Sequence, residues 1–126
     1  MKCLVTGGAG FIGSHTVVEL IEEGYNPIII DDFRNSEKFI LDRLQEITGV
    51  KIIAYNFDCA NQEKLQEVFE KHKPSGVIHF AADKAVGESV ANPLKYYQNN
   101  LGSLVVILDT CIKNNVTNFV FSSSCT

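Results

Sequence analysis

The chain lacks the marks of several protein classes. No uninterrupted apolar run exceeds six residues, whereas a helix that spans a bilayer needs roughly 20. The first residues run directly into a strand pattern, so no secretory leader is expected. No CxxC pair exists. Cys3, Cys59, Cys111 and Cys125 are scattered, which supplies neither metal-ligand spacing nor a disulfide framework, and predicts reduced thiols in a cytoplasmic protein. Positive charge is not in excess either: 11 Lys and Arg stand against 15 Asp and Glu, a net charge of −4. Nucleic acid and anionic membrane are therefore not expected partners, and any anionic ligand must be held by local geometry. Asn115-Val116-Thr117 spells a glycosylation sequon, but without a leader it is read as accidental.

What remains is ordinary globular material, 126 residues at 45% hydrophobic and 21% charged. This predicts a single domain over 1–126, large enough to bury roughly two-thirds of its unfolded surface. Five short β-branched runs stand out: Lys2–Thr6, Pro27–Ile30, Lys51–Tyr55, Gly76–Phe80 and Asn118–Phe121. They are continuously apolar rather than alternating, as strands buried on both faces are. Helical periodicity fills the intervals. Leu65, Val68, Phe69 and His72 form one stripe, and Tyr97, Leu101, Leu104, Val105, Leu108 and Ile112 another. Gly24 marks the end of the first helix, Asn61 can cap a later one, and Asn92-Pro93 reads as a cap followed by proline at the first helical position. Strands alternating with helices, joined by right-handed crossovers, predict a doubly wound α/β parallel sheet of the Rossmann type in the order 3-2-1-4-5.

The sharpest local signal is Thr6-Gly7-Gly8-Ala9-Gly10-Phe11-Ile12-Gly13, directly after the first strand and opening the first helix. Gly7 permits the turn, Gly10 lets backbone approach a pyrophosphate, and Gly13 lets the helix pack on the sheet. The helix N-terminus adds free N–H groups and positive dipole. The spacing is GxxGxxG rather than GxGxxG. Asp31 follows strand two, 18 residues past Gly13, close to the roughly 20 expected of an acid that binds the adenosine ribose. A carboxylate there would repel a 2′-phosphate and so favours NAD over NADP, although Arg34 nearby leaves NADP open. Asp32 reads as a solvated loop residue. Asp58, after strand three, could accept from an adenine amine or equally cap a turn. The small residues of Phe80-Ala81-Ala82 allow close passage under a cofactor, or tight packing alone.

Taken together, TGGAGFIGSH, Asp31 with Asn35-Ser36, Asp58, HFAADKAVGESV at 79–90 and Phe121-Ser122-Ser123-Ser124 resemble the extended short-chain dehydrogenase/reductases, and among them the sugar-nucleotide 4-epimerases. The stretch Lys84 to Val90, with Asn92-Pro93-Leu94, Tyr96-Tyr97 and Asn99-Asn100, is more specific than the glycine loop. The resemblance covers the whole chain and about the first third of such enzymes. It implies NAD as cofactor, with Phe11 and Ile12 giving backbone to the pyrophosphate. Asp31, Asp32, Phe33, Arg34, Asn35 and Ser36 would surround the ribose. Asp58 and Cys59 would meet the adenine, and Phe80, Ala81, Ala82 and Lys84 would line the cofactor, with Lys84 near the nicotinamide. Asn99 would come from the long fourth helix, and Ser124 would be the catalytic hydroxyl on the reacting sugar oxygen. Two departures are Ala82, where glycine is frequent, and Asp83, where leucine is.

The family's base is a tyrosine with a lysine four residues later, which lowers the phenol's pKa. Four residues after Tyr25, Tyr55, Tyr96 and Tyr97 stand Ile29, Cys59, Asn100 and Leu101, so no such pair is present. The expectation is a truncated NAD-binding domain, incomplete at its C-terminal side and lacking the substrate domain. Val120 and Phe121 are then expected to be partly exposed at a sheet edge. The resemblance further implies a UDP-sugar substrate for the whole enzyme and dimerisation through helices that include the fourth. A dehydratase or decarboxylase of the same family, or a dinucleotide-binding module without catalysis, remain the alternatives.

Overall fold

The computed structural model describes residues 1–33, 37–81 and 93–122, with backbone alone for 95–100. In chain order these form β1 (Lys2–Thr6), α1 (Phe11–Glu22), β2 (Asn26–Asp31), α2 (Phe39–Thr48), β3 (Ile53–Asn56), α3 (Gln62–His72), β4 (Gly76–His79), α4 (Pro93–Lys113) and β5 (Asn118–Phe121). The five strands make one parallel sheet, ordered β3-β2-β1-β4-β5. β1 is central, and the chain winds outward from it in both directions. The crevice at the carboxyl ends of β1 and β4 is therefore the topological switch point, where open α/β sheets hold ligands.

Alternation along the strands feeds two cores. Leu4, Ile28, Ile30 and Val77 face α3 and α4, meeting Leu65, Val68, Phe69, Ile107 and Cys111. Cys3, Val5 and Ile29 face the other side, meeting Val17 of α1 and Leu44 of α2. Because both faces are covered, β2 is buried at every position but its first, which is why it reads as a continuous apolar run.

The strand limits differ slightly from the sequence reading. β3 begins at Ile53 rather than Lys51 because its ladder with β2 starts at the Ile28–Ile53 pair. β4 ends at His79, although the Phe80 N–H still donates to the Thr6 carbonyl at 3.0 Å. The helix signals hold where they are described. Gly24 adopts φ +88°, the Asn61 side chain accepts from the Lys64 N–H, and α4 opens on Pro93. Asn92 lies outside the described residues.

The apolar stripe of α4 does not face the core. Leu101, Val105, Leu108 and Ile112 are exposed, whereas Ser103, Ile107, Thr110 and Cys111 are buried. The sheet-facing side thus carries mainly small residues, which let the helix lie close, and the longer aliphatic side chains point outward. His72 also departs from its apolar stripe: its Nε2 lies 2.6 Å from the Tyr55 hydroxyl. Val120 and Phe121 are 58% and 50% exposed on edge strand β5. Among the described residues, no helix is long and apolar enough to cross a membrane.

Candidate cofactor site

The glycine loop is shaped by three separate contacts. Gly7 takes φ +70°, and a Cβ on it would lie 2.8 Å from the Ala81 nitrogen. Its own N–H donates to the Ile30 carbonyl at 2.8 Å, tying the loop to β2. At Gly13 a Cβ would fall 2.1 Å from the Gly7 carbonyl oxygen, so the first turn of α1 rests directly on the loop. A Cβ on Gly10 would meet only that same carbonyl, at 3.3 Å. Gly10 is the N-cap of α1 and offers no side chain to its amides. The first N–H groups of α1 thus keep the donor capacity that a helix leaves unused, and with the helix dipole they form an anion cradle. Phe11 and Ile12 are 83% and 46% exposed at this opening.

Asp31 ends β2 beside the loop and is only 9% exposed. Its Oδ2 accepts from the Ala9 N–H at 3.1 Å, and its Oδ1 accepts from the Phe33 N–H at 2.8 Å. The carboxylate thus holds the glycine loop and the turn after β2 together. Phe33 sits at φ 59°, a left-handed conformation costly for a residue with a bulky side chain, with Lys38 Nζ 5.7 Å from its ring centroid. Asp32 is half-buried next to it.

The other predicted residues divide clearly. Asp58 is exposed, and its Oδ1 accepts from the Ala60 N–H at 2.9 Å, so it does form the turn that its position suggested. Cys59 is buried. Burial, reinforced by the Asp58 and Asp32 carboxylates and opposed by a hydrogen bond with Ser103, pushes its thiol up to about 12. Phe80 and Ala81 leave β4 half-buried, with the Ala81 N–H donating to Thr6 Oγ1 at 3.3 Å. Hence Gly7, Gly10, Phe11, Ile12, Gly13, Asp31, Asp32 and Phe33 gather around the carboxyl ends of β1 and β2, Asp58 and Cys59 follow β3, and Phe80 and Ala81 follow β4. Arg34, Asn35, Ser36, Ala82, Lys84 and Ser124 lie outside the described residues, and Asn99 is described only as backbone within α4.

Sequence reasoning missed Thr6 and His79. Both are buried polar residues that end neighbouring strands, and Thr6 Oγ1 lies 2.5 Å from His79 Nδ1. The available signal was a polar residue at the end of one apolar run and next to the end of another. Among the described residues no cluster of His, Cys, Asp and Glu could hold a metal ion.

Residues 3–126 match the NAD dependent epimerase/dehydratase family. The chain is 49% identical over 125 residues to the UDP-glucose 4-epimerase of Dictyostelium discoideum, covering 99% of this chain and 36% of that one. It is 50% identical over 131 residues to the Mus musculus UDP-glucose 4-epimerase, covering 99% and 38%. The crystal structure of the Bifidobacterium longum UDP-glucose 4-epimerase, in complex with NAD+ and UDP, superposes with a TM-score of 0.97 at 46% identity, over 99% of this chain and 37% of that one. The chain thus spans a little over a third of the length of these three relatives.

Proposed function

Because this chain belongs to the NAD dependent epimerase/dehydratase family, we propose that it is the N-terminal, NAD-binding part of an enzyme that interconverts UDP-glucose and UDP-galactose at sugar C4. The observation that carries the NAD assignment is the pairing of an uncapped glycine loop with Asp31. The open face of Gly10 and the first-turn amides of α1, which no N-cap side chain occupies, suit a pyrophosphate, and the carboxylate 3.1 Å from the loop nitrogen suits ribose hydroxyls.

Bound NAD would supply the acceptor and donor of a hydride at C4. This chain's residues would do the rest of the positioning. Phe11 and Ile12 would give N–H groups to the pyrophosphate, Asp31 to Ser36 would enclose the ribose, and Asp58 and Cys59 would meet the adenine. Phe80 to Lys84, with Asn99, would line the remainder, and Ser124 would hydrogen-bond the reacting sugar oxygen. The rest of a domain begun at 1–126 and the substrate domain would belong to a longer protein, and scattered cysteines without a disulfide framework favour the cytoplasm for it.

NAD+ calorimetry with an Asp31→Ala control tests the cofactor assignment, and loss of saturable binding in the control is expected. Interconversion of the two UDP-sugars by the full-length protein tests the reaction. A stable 4-keto product or release of CO2 would instead identify a dehydratase or a decarboxylase. The exposed stripe Leu101, Val105, Leu108 and Ile112 supports a homodimer through α4. Sedimentation of Val105→Glu should then show a monomer, and an unchanged dimer would remove α4 from the interface.

A further inference from the structure

We propose that His79 is a positioning residue, which pins the ends of β1, β4 and β5 to one another at the cofactor side of the sheet; its kinetic consequence rests on the function proposed above. His79 is the last residue of β4 and is 2% exposed. Its ring stacks on Phe121 of β5, with centroids 5.9 Å apart and planes at 24°, and packs against Phe119 at 6.4 Å. Its Nδ1 meets Thr6 Oγ1 at the end of β1. Its carbonyl accepts from the Ser122 N–H at 3.2 Å, where the chain leaves β5.

Protonation follows from the partners. Thr6 is fully buried, and its hydroxyl oxygen already accepts from the Ala81 N–H. A buried hydroxyl proton needs an acceptor, and Nδ1 provides one. The ring is therefore neutral with its proton on Nε2, which acts as more than filler. An imidazolium would turn Nδ1 into a donor and leave the Thr6 proton without this acceptor.

Three segments proposed to meet the cofactor or substrate converge on this residue: its ring meets Thr6, Thr6 in turn holds Ala81, and its backbone carbonyl holds Ser122. Thr6 immediately precedes Gly7. Ala81 is the residue that crosses over Gly7, close enough to exclude a Cβ there. Ser122 begins the segment that carries Ser124 in sequence. An apolar residue at 79 would fill the space and keep the backbone bond to Ser122, but it would lose the Thr6 contact and the stacking on Phe121, so the ends of β1 and β5 would shift relative to β4. Misplacement of reacting groups by about 1 Å can cost roughly a hundredfold in rate.

The test uses the full-length protein. His79→Leu and Thr6→Val should each lower kcat at least about tenfold, with bound NAD and sugar KM held within about twofold, as a loss felt only in the transition state does. His79→Asn places an amide oxygen where Nδ1 was, and Thr6→Ser keeps the hydroxyl, so both should stay within about threefold of the unsubstituted kcat. The double variant His79→Leu/Thr6→Val should be no slower than either single one, because the pair acts as a unit. If His79→Leu fails to fold, the Thr6→Val and Thr6→Ser pair carries the same comparison. A fall in melting temperature with kcat unchanged would overturn the proposal, as would a rise in KM alone. Independently, 15N shifts of the His79 ring in the NAD-bound protein should show an unprotonated Nδ1, and a protonated one would overturn it. If the unsubstituted protein does not epimerise, the functional reading falls and the ring shifts alone decide the pin.

Discussion

Replacing Asp31 by asparagine separates two roles that an alanine would merge. In the folded chain the carboxylate accepts the Ala9 N–H at 3.1 Å and the Phe33 N–H at 2.8 Å, one on each oxygen. Both donors lie near a site only 9% exposed, where water is a poor substitute. Hydrogen bonds to a charged group are worth about 1.5–3 kcal/mol each. Asparagine keeps the shape and one acceptor, but it turns an NH2 toward one of the two N–H groups. The expected cost is about 2 kcal/mol without cofactor. In a domain of this size that corresponds to a fall of roughly 8 °C in melting temperature. The same carboxylate would receive two ribose hydroxyls, so NAD affinity should fall by about two to three orders of magnitude. Differential scanning calorimetry of the apo protein reads the first effect, and titration calorimetry well below the melting temperature reads the second. If the apo melt of Asp31→Asn is unchanged while NAD binding is lost, the carboxylate serves only the ligand and the clamp argument is wrong.

Three further outcomes are expected. Iodoacetamide at pH 8 should leave Cys59 unlabelled in the folded chain and label it after denaturation, because burial places its thiol at about 12; peptide mass mapping reads this directly. Burial, then Lys2 and Lys71, hold the His72 imidazole below its ordinary 6.5, so the unfolded chain takes up that proton at higher pH than the folded one. Its contribution is present above pH 6.5 and is lost as pH falls through the lowered folded value, and His72→Gln should flatten the melting temperature across that interval. Asn115 sits at φ 58° after α4, with the Val116 N–H reaching back to the Cys111 carbonyl at 2.9 Å. This is the Schellman arrangement that glycine favours, so Asn115→Gly should stabilise by about 1 kcal/mol in urea denaturation.

Much of this architecture was legible because its residues answer local rules. The β2 run Ile28, Ile29, Ile30 can be continuously apolar only where helices cover both faces. The glycines after β1 announce a loop that side chains would block. The face of α4 was not legible in the same way. Periodicity identified the helix, but the same period describes an outward stripe of Leu101, Val105 and Ile112 and an inward one of Ser103, Ile107 and Thr110. Nothing in spacing alone says which stripe meets the sheet. The second role of Asp31 was hidden for another reason. Its partner Ala9 contributes only a backbone N–H, and a main-chain donor leaves no trace in residue type. His79 and Thr6 sit 73 positions apart, and only the β1–β4 register brings them together.

The unequal surroundings of the loop glycines bear on how such a site can be altered. Gly7, Gly8 and Gly13 each exclude a side chain because protein atoms already occupy the space: Ala81 backbone, the Ile29 side chain and the Gly7 carbonyl respectively. Changing any of them challenges the fold before a ligand is present. Gly10 borders only one carbonyl and otherwise opens outward. Selection for expression and selection for binding would therefore act on different letters of the same eight-residue segment. In a library randomised across 6–13, variants at position 10 should survive a screen for folded protein and fail a screen for ligand. Those at 7, 8 and 13 should be removed by the first screen.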